Sequence, residues 1–165
     1  MTKTFLISDL HFNHHNILKF KRTDGITPLR PFKDIDEMHT TIIYNWNRIV
    51  AEDDKVYVLG DISLGSDLSI LNMLKGTKVL IKGNHDNLKL SKYQEHFKDV
   101  RAYHILDRFI LSHIPIHPES LARWKANIHG HTHANNLADP RYFNVSVENI
   151  NYTPINFEEI KRAYS

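Results

Sequence analysis

The chain has no cysteine. Disulfides and thiolate-bound zinc are therefore excluded, and nothing points to an oxidising compartment. It also lacks any apolar run of membrane-spanning length, and a polar motif begins by Asp9, too early for a signal-peptide core to precede it. A cytoplasmic location with no membrane partner is the expectation. Strong charge of one sign is missing as well: 21 Lys and Arg against 19 Asp and Glu leave a formal net charge of +2. That is too little to imply a nucleic-acid partner, and there is no strong basic patch. The 12 histidines add charge only at lower pH. There is no internal repeat, low-complexity tract or Gly/Ser linker, so one domain over residues 1–165 is expected, long enough to bury a substantial core.

What is present is a series of five short polar clusters, each directly after an apolar run. The clusters are Asp9-Leu10-His11, Gly60-Asp61, Gly83-Asn84-His85-Asp86, Ser112-His113 and Gly130-His131-Thr132-His133. The runs before them are Phe5–Ile7, Val56–Leu59, Val79–Ile81, Phe109–Leu111 and the short Asn127-Ile128. Strand exits are where open α/β sheets place their chemistry.

The patterning predicts strands over 4–8, 55–59 and 77–82. A long polar connection spans 9–34, with a helical turn at 16–20. Asp34 and Glu37 fit a helix N-terminus, and Ile35, Met38, Ile42, Trp46 and Ile49 continue at helical spacing, so a helix is predicted over 35–51. Trp46 and Tyr44 on it read as core. Shorter helices are predicted at 67–75 and 91–97, a hairpin from 99–105 and 108–112, and a strand at 126–129. Alternation of Phe143, Val145 and Val147 with Asn144 and Ser146 reads as a half-buried strand, and Asn156 as the cap of a helix over 157–164. This order predicts an α/β fold, a mixed sheet system flanked by helices.

Asp9 and His11, one residue apart, would project to the same side of an extended segment, and His131 and His133 repeat that spacing. Asp61 is a carboxylate whose two oxygens can bridge two cations roughly 3.5–4 Å apart. Asn84 adds a carbonyl oxygen and His113 an imidazole. An all-oxygen-and-nitrogen set with this many imidazoles suits two divalent transition-metal ions, with manganese the first expectation and iron, zinc, nickel or cobalt also fitting. Glycines at 60, 83 and 130 allow close backbone approach.

Together these motifs resemble the calcineurin-like metallophosphoesterases, whose pattern is D-x-H, G-D, G-N-H-[DE], a lone H and G-H-x-H. All five occur in order between Asp9 and His133. The short chain, the opening Asp9–His14 and Arg30-Pro31-Phe32 look like the compact bacterial and viral branch. The resemblance implies two packed mixed sheets flanked by helices, a four-layer αββα sandwich. It implies one metal held by Asp9, His11, Asp61 and His133, and a second held by Asp61, Asn84, His113 and His131. His85 matches the family's catalytic histidine and Asp86 the carboxylate that orients it.

The activity this implies is hydrolysis of a phosphoester by a hydroxide held between two metals, with His85 assisting the leaving group. A small or nucleotide-type phosphodiester is the leading substrate class, because no large cap domain would close over the site. A phosphomonoesterase acting on a nucleotide or a phosphoprotein is the alternative. A nuclease has no spare length or basic patch to support it, and a non-catalytic scaffold would not need His85 and every ligand. In the 9–34 connection, Asn13 and His14 are close enough in sequence to line the site, and Arg22 or Arg30 can grip a phosphate. His39, His96, His104, His117 and His129 have no partner pattern and read as packed or surface residues.

Overall fold

A strand covered on both faces must be apolar at consecutive positions. The computed structural model describes residues 1–165 and shows where that condition is met. In chain order the elements are β1 (Thr4–Ile7), α1 (Ile35–Ile49), β2 (Lys55–Val58), β3 (Thr77–Ile81), α2 (Leu90–Gln94), β4 (Asp99–Arg101), β5 (His104–Leu106), β6 (Phe109–Leu111), β7 (Ala126–His129), β8 (Tyr142–Asn144), β9 (Ile155–Asn156) and α3 (Phe157–Ala163). The fold is α/β: two mixed sheets flanked by helices. The first sheet runs β4-β3-β2-β1-β9, parallel except for the antiparallel β9 edge. The second runs β5-β6-β7-β8, with only β5 antiparallel.

Period-2 alternation divides the apolar side chains between two cores. Phe5, Ile7, Val56, Val58 and Leu80 face α1, which offers Ile35, Met38, Ile42 and Trp46. Leu6, Tyr57, Val79 and Ile81 face the other way and meet Phe109, Leu111 and Ile128 of the second sheet, with Phe157 and Ile160 of α3 in the same core. Each fully buried Leu, Ile or Phe contributes about 1.5–3 kcal/mol. Both sheets are thereby fixed against each other, and their carboxyl-end loops emerge on one side.

The capping of α1 follows the sequence. The Asp34 carboxylate accepts the Glu37 N–H at 2.8 Å, and the Glu37 carboxylate accepts the Lys33 N–H at 2.7 Å. Asn156 caps α3 in the same way, accepting from the Glu158 N–H at 2.9 Å. Tyr44 departs from expectation. It is 66% exposed while Trp46 is fully buried, because two helical positions are about 200° apart and only one can face the sheet.

Three segments differ from the patterning. Residues 67–75 form a 3-10 turn at Ser69–Met73, and the buried Leu68, Leu71 and Leu74 repeat every third residue, the 3-10 period. The expected hairpin from 99 splits between sheets: β4 pairs with β3, the chain crosses at Ala102-Tyr103, and only β5 pairs with β6. The segment 143–147 is not half-buried. Val145 and Val147 enter different cores, and Asn144 and Ser146 are buried too, because their side chains face polar groups of the loops above.

Candidate metal centre

The loops leaving β1, β2, β3, β6 and β7 converge. Their polar residues do not continue the strands. Asp9, His11, Asp61, His131 and His133 all have positive φ, between 50° and 69°. Left-handed backbone at a residue other than glycine is uncommon and collects at functional sites. The extended-segment argument for Asp9 with His11 and for His131 with His133 therefore does not hold: tight left-handed turns bring them together. Close approach requires glycine at two points. A Cβ on Gly130 would overlap Ser8 Oγ and the Asp9 carboxylate, and one on Gly83 would overlap Asp61 Oδ1.

Two clusters of donors result: Asp9, His11 and His133, and beside them Asp61, His113 and His131. His11 Nε2 lies 3.6 Å from Asp9 Oδ1, and His133 Nε2 lies 3.8 Å from that same oxygen. Asn84 Oδ1 lies 2.9 Å from His113 Nε2 and 3.0 Å from His131 Nδ1. Asp61 Oδ2 joins the clusters, 3.6 Å from His11 Nε2 and 3.3 Å from His113 Nε2. The other oxygen, Oδ1, accepts the His85 N–H at 2.9 Å. The link is thus a single oxygen atom, not the two expected. Asp9 Oδ1 and His11 Nε2 are buried with no hydrogen-bond partner. Leaving such atoms unpaired costs about 1–3 kcal/mol each, and a cation held by the cluster would satisfy both. The donor types fit two metal ions, and the orphaned atoms mark the cluster of Asp9, His11 and His133.

These nine side chains, in this order on two packed mixed sheets, match the pattern D-x-H, G-D, G-N-H-D, H, G-H-x-H in sequence, and two donor clusters bring its ligands together in space.

The chain has the fold and the motif set of the calcineurin-like metallophosphoesterases.

An uncharacterized protein of Methanocaldococcus jannaschii is 38% identical over 174 residues, covering 97% of this chain and 90% of that one. The gene 66 protein of Mycobacterium phage L5 is 34% identical over 92 residues, 52% of this chain and 41% of its own. Among solved structures, a protein of unknown function from Aquifex aeolicus superposes with a TM-score of 0.80 at 26% identity, over 98% of this chain and 99% of that one. No family model matches the chain.

Around the donors, a buried shell fixes which atom faces inward. Asp9 Oδ2 accepts from Ser8 Oγ (2.7 Å), Ser146 Oγ (3.0 Å) and the His131 N–H (2.8 Å), so Oδ1 is the free oxygen. His113 Nδ1 donates to the Leu59 carbonyl at 2.7 Å, and His133 Nδ1 to the Glu148 carboxylate at 3.0 Å. An acceptor-only partner puts the proton on Nδ1 and leaves Nε2 as the ligand atom. Glu148 also accepts from Arg30 Nε at 2.8 Å, and both side chains are fully buried.

Burial favours the neutral form of every imidazole, yet His113 and His133 titrate above the ordinary 6.5. Asp61 and Asp9 outweigh burial for His113, and Glu148 and Asp9 do so for His133. His11 and His131 titrate below it, since burial wins. Burial also opposes ionisation of Asp9, Asp61 and Glu148, but the facing histidines, with Arg30 at Glu148, hold all three below the ordinary carboxylate range. His14 is pushed down to about 4 by burial and by His11.

The remaining expected site residues divide. His14 joins the site: its Nδ1 is 3.2 Å from His11 Nδ1, so it backs a donor. His85 stands exposed at the rim with its ring 5.7 Å from that of His11, and the ring makes no hydrogen bond within the protein. Arg22 is exposed in a trough of about 460 Å³ beside His131 and His133. Asn13 is occupied elsewhere, its amide donating to Ser63 Oγ and the Asp67 carbonyl, and its N–H to His39 Nε2.

Two placements correct the sequence reading. Arg30 does not line the cleft. It is 1% exposed and donates to the Asp9 and Leu10 carbonyls and to Glu148, so its guanidinium is enclosed and is not offered to a phosphate. Asp86 does not reach the His85 ring. Its buried carboxylate accepts the N–H groups of Gly83 (2.7 Å), Asp61 (2.9 Å) and Ile62 (3.1 Å), tying two ligand loops together. Sequence reasoning missed Ser8, Ser146 and Glu148. Ser146 and Glu148 act across 137 and 118 positions, and no local pattern marks them.

Proposed function

We propose that the protein is a metal-dependent phosphodiesterase, with residues 1–165 forming one domain. The observation that carries this reading is Asp61 Oδ2 standing between His11 Nε2 and His113 Nε2, beside the orphaned Asp9 Oδ1. Asp9, His11, Asp61 and His133 would hold one divalent ion, and Asp61, Asn84, His113 and His131 the other. Nitrogen and oxygen donors with four imidazoles favour manganese or a neighbouring transition metal. Two such ions, when bound, supply positive charge to the phosphoryl oxygens and lower the pKa of a water.

The protein's own contribution is orientation and proton transfer. Leu59 and Glu148 hold the Nδ1 protons of His113 and His133, so both rings present a lone pair inward. His85, exposed at the rim with a free ring, can hand a proton to the departing ester oxygen. The His85 backbone N–H binds Asp61 Oδ1, which couples the placement of that histidine to the shared carboxylate. A diester is favoured over a monoester because the centre is flanked by two separate troughs, of about 480 and 460 Å³, one for each substituent.

The test is hydrolysis of bis(p-nitrophenyl) phosphate and p-nitrophenyl phosphate by metal-stripped protein resupplied with Mn²⁺. Diester turnover well above monoester turnover is expected. The reverse preference would make the protein a phosphatase, and turnover of neither would remove the enzymatic reading.

A further inference from the structure

The two troughs differ in chemistry. The one beside His131 and His133 is edged by Lys21 and Arg22. The other begins at Asn84 and His113 and is walled by Tyr103, Ile110, Ile114 and Ile116, with Lys82 at its rim. Tyr103 is 58% exposed and Ile114 52%, so large apolar surface is left open directly beside the donor cluster. Nothing in the chain covers either side chain.

This wall is built rather than slack. The segment after His113 is pinned by buried or half-buried polar groups: Ser112 Oγ donates to the Ile114 carbonyl at 2.7 Å, Asn127 Oδ1 accepts the Ile116 N–H at 3.0 Å, and Tyr142 Oη donates to the Ile116 carbonyl at 2.6 Å. Tyr103 sits in the two-residue crossing between β4 and β5, where the chain passes from one sheet to the other. An apolar side chain held outward on a pinned backbone, at the edge of a polar site, is how a protein offers a ring a place to lie. The volume, about 480 Å³, is that of a small-molecule site.

We propose that this trough seats the retained arm of the substrate, a flat uncharged ring of aryl or nucleobase type joined to the phosphorus through its own ester oxygen. The inference rests on the phosphodiesterase reading and adds the substrate class. The arm is the retained one because of where His85 stands. Its ring lies toward His11, whereas the trough opens from Asn84 and His113. The leaving oxygen belongs on the His85 side, so the arm on the His113 side stays with the product. Hydrolysis then yields a monoester carrying the ring and a free alcohol or phenol, with water supplying the oxygen to phosphorus and the proton to the leaving group.

The experiment follows product-like monoesters by binding rather than turnover. Phenyl phosphate and methyl phosphate are titrated into the Zn²⁺-loaded protein and followed by amide chemical shifts. Phenyl phosphate is expected to bind on the order of tenfold more tightly, the worth of one well-packed ring face. Its shifts should fall at 102–104 and 112–116. Tyr103→Ala or Ile114→Ser should bring its affinity down to that of methyl phosphate. Both residues are exposed, so truncation spares the core, and Tyr44→Ala, an exposed tyrosine on α1, should keep the preference. Equal affinities in the unaltered protein, or a preference that survives both trough substitutions, would overturn the proposal. Thymidine 5′-monophosphate separates the sources: tighter than phenyl phosphate means a nucleoside arm, weaker means a simple aryl-sized ring. Intact ring preference with no hydrolysis of bis(p-nitrophenyl) phosphate would sink the phosphodiesterase reading while leaving the trough assignment standing.

Discussion

Glu148 holds one donor histidine and one arginine in place, and neither is its neighbour in sequence. Its carboxylate accepts the His133 Nδ1–H and faces Arg30 Nε, and the three form a chain, buried at Glu148 and Arg30, that ends at the Asp9 carbonyl. Arg30 and Glu148 have fully buried side chains, so removing the negative charge strands a cation away from water. Glu148→Gln should cost about 3 kcal/mol in urea unfolding. It should also weaken the metal site formed by Asp9, His11 and His133 by about 10–100-fold, as loss of a partner behind a ligand does. Unchanged stability and unchanged metal affinity together would show that Glu148 is a bystander. At this scale the sequence was readable where chemistry fixes the residue type. Asp, His and Asn in the five motifs announce donors because few other side chains can do that work. Arg30 was misread because a loop arginine near a phosphate site usually faces solvent, and only the fold shows that this one is enclosed. Asp86 was misread because the family resemblance assigned it to orienting His85, while its oxygens are taken by backbone.

The elements carrying the site are strand-exit loops, and their mutual position depends on that same Asp86. Three N–H groups from two loops converge on one carboxylate, and burial raises its pKa despite them. An amide in its place would accept fewer bonds and turn an NH₂ toward an N–H. Asp86→Asn should therefore cost about 1–3 kcal/mol and loosen the loops bearing Asp61 and Asn84. Wild-type stability in thermal unfolding would contradict this. Strands and α1 were legible because burial on one or both faces imposes a period that composition can show. The 3-10 turn at Ser69–Met73 obeys a period of three, which a helical reading absorbs as noise. The split of 99–106 between two sheets was illegible, since β4 and β5 choose partners remote in sequence and nothing local separates them. The left-handed turns at Asp9, His11, Asp61, His131 and His133 were illegible too: Asp and His adopt positive φ more often than most side chains, but only a small minority do so, and residue type alone does not mark which.

Across the whole molecule, the centre couples metal, protons and stability. In stripped protein, His113 and His133 have folded pKa values above the ordinary 6.5. Their contribution is full below about 6.5 and is lost as pH rises through the raised values. Asp9, Asp61 and Glu148 are depressed, so their contribution is present above roughly pH 4 and is lost as pH falls through their folded values. His11, His14 and His131, held low by burial, oppose folding as pH falls below about 6.5, so stripped protein should be most stable near that pH and weaken toward pH 8. Metal binding needs neutral imidazoles and strengthens over the same interval. The gap in melting temperature between loaded and stripped protein should widen from pH 6 to pH 8 in calorimetry, and a constant gap would contradict the assignment of protons to His113 and His133.

The central proposal is that Asp61, whose Oδ2 lies between His11 Nε2 and His113 Nε2, would be shared by two cations. Equilibrium dialysis against Mn²⁺, with metal counted per chain and the spins examined by electron paramagnetic resonance, tests it most directly. Two ions per chain with an exchange-coupled spectrum are expected, falling to one uncoupled ion or none in Asp61→Asn. One ion in the unaltered protein, or two that are magnetically independent, would contradict the account.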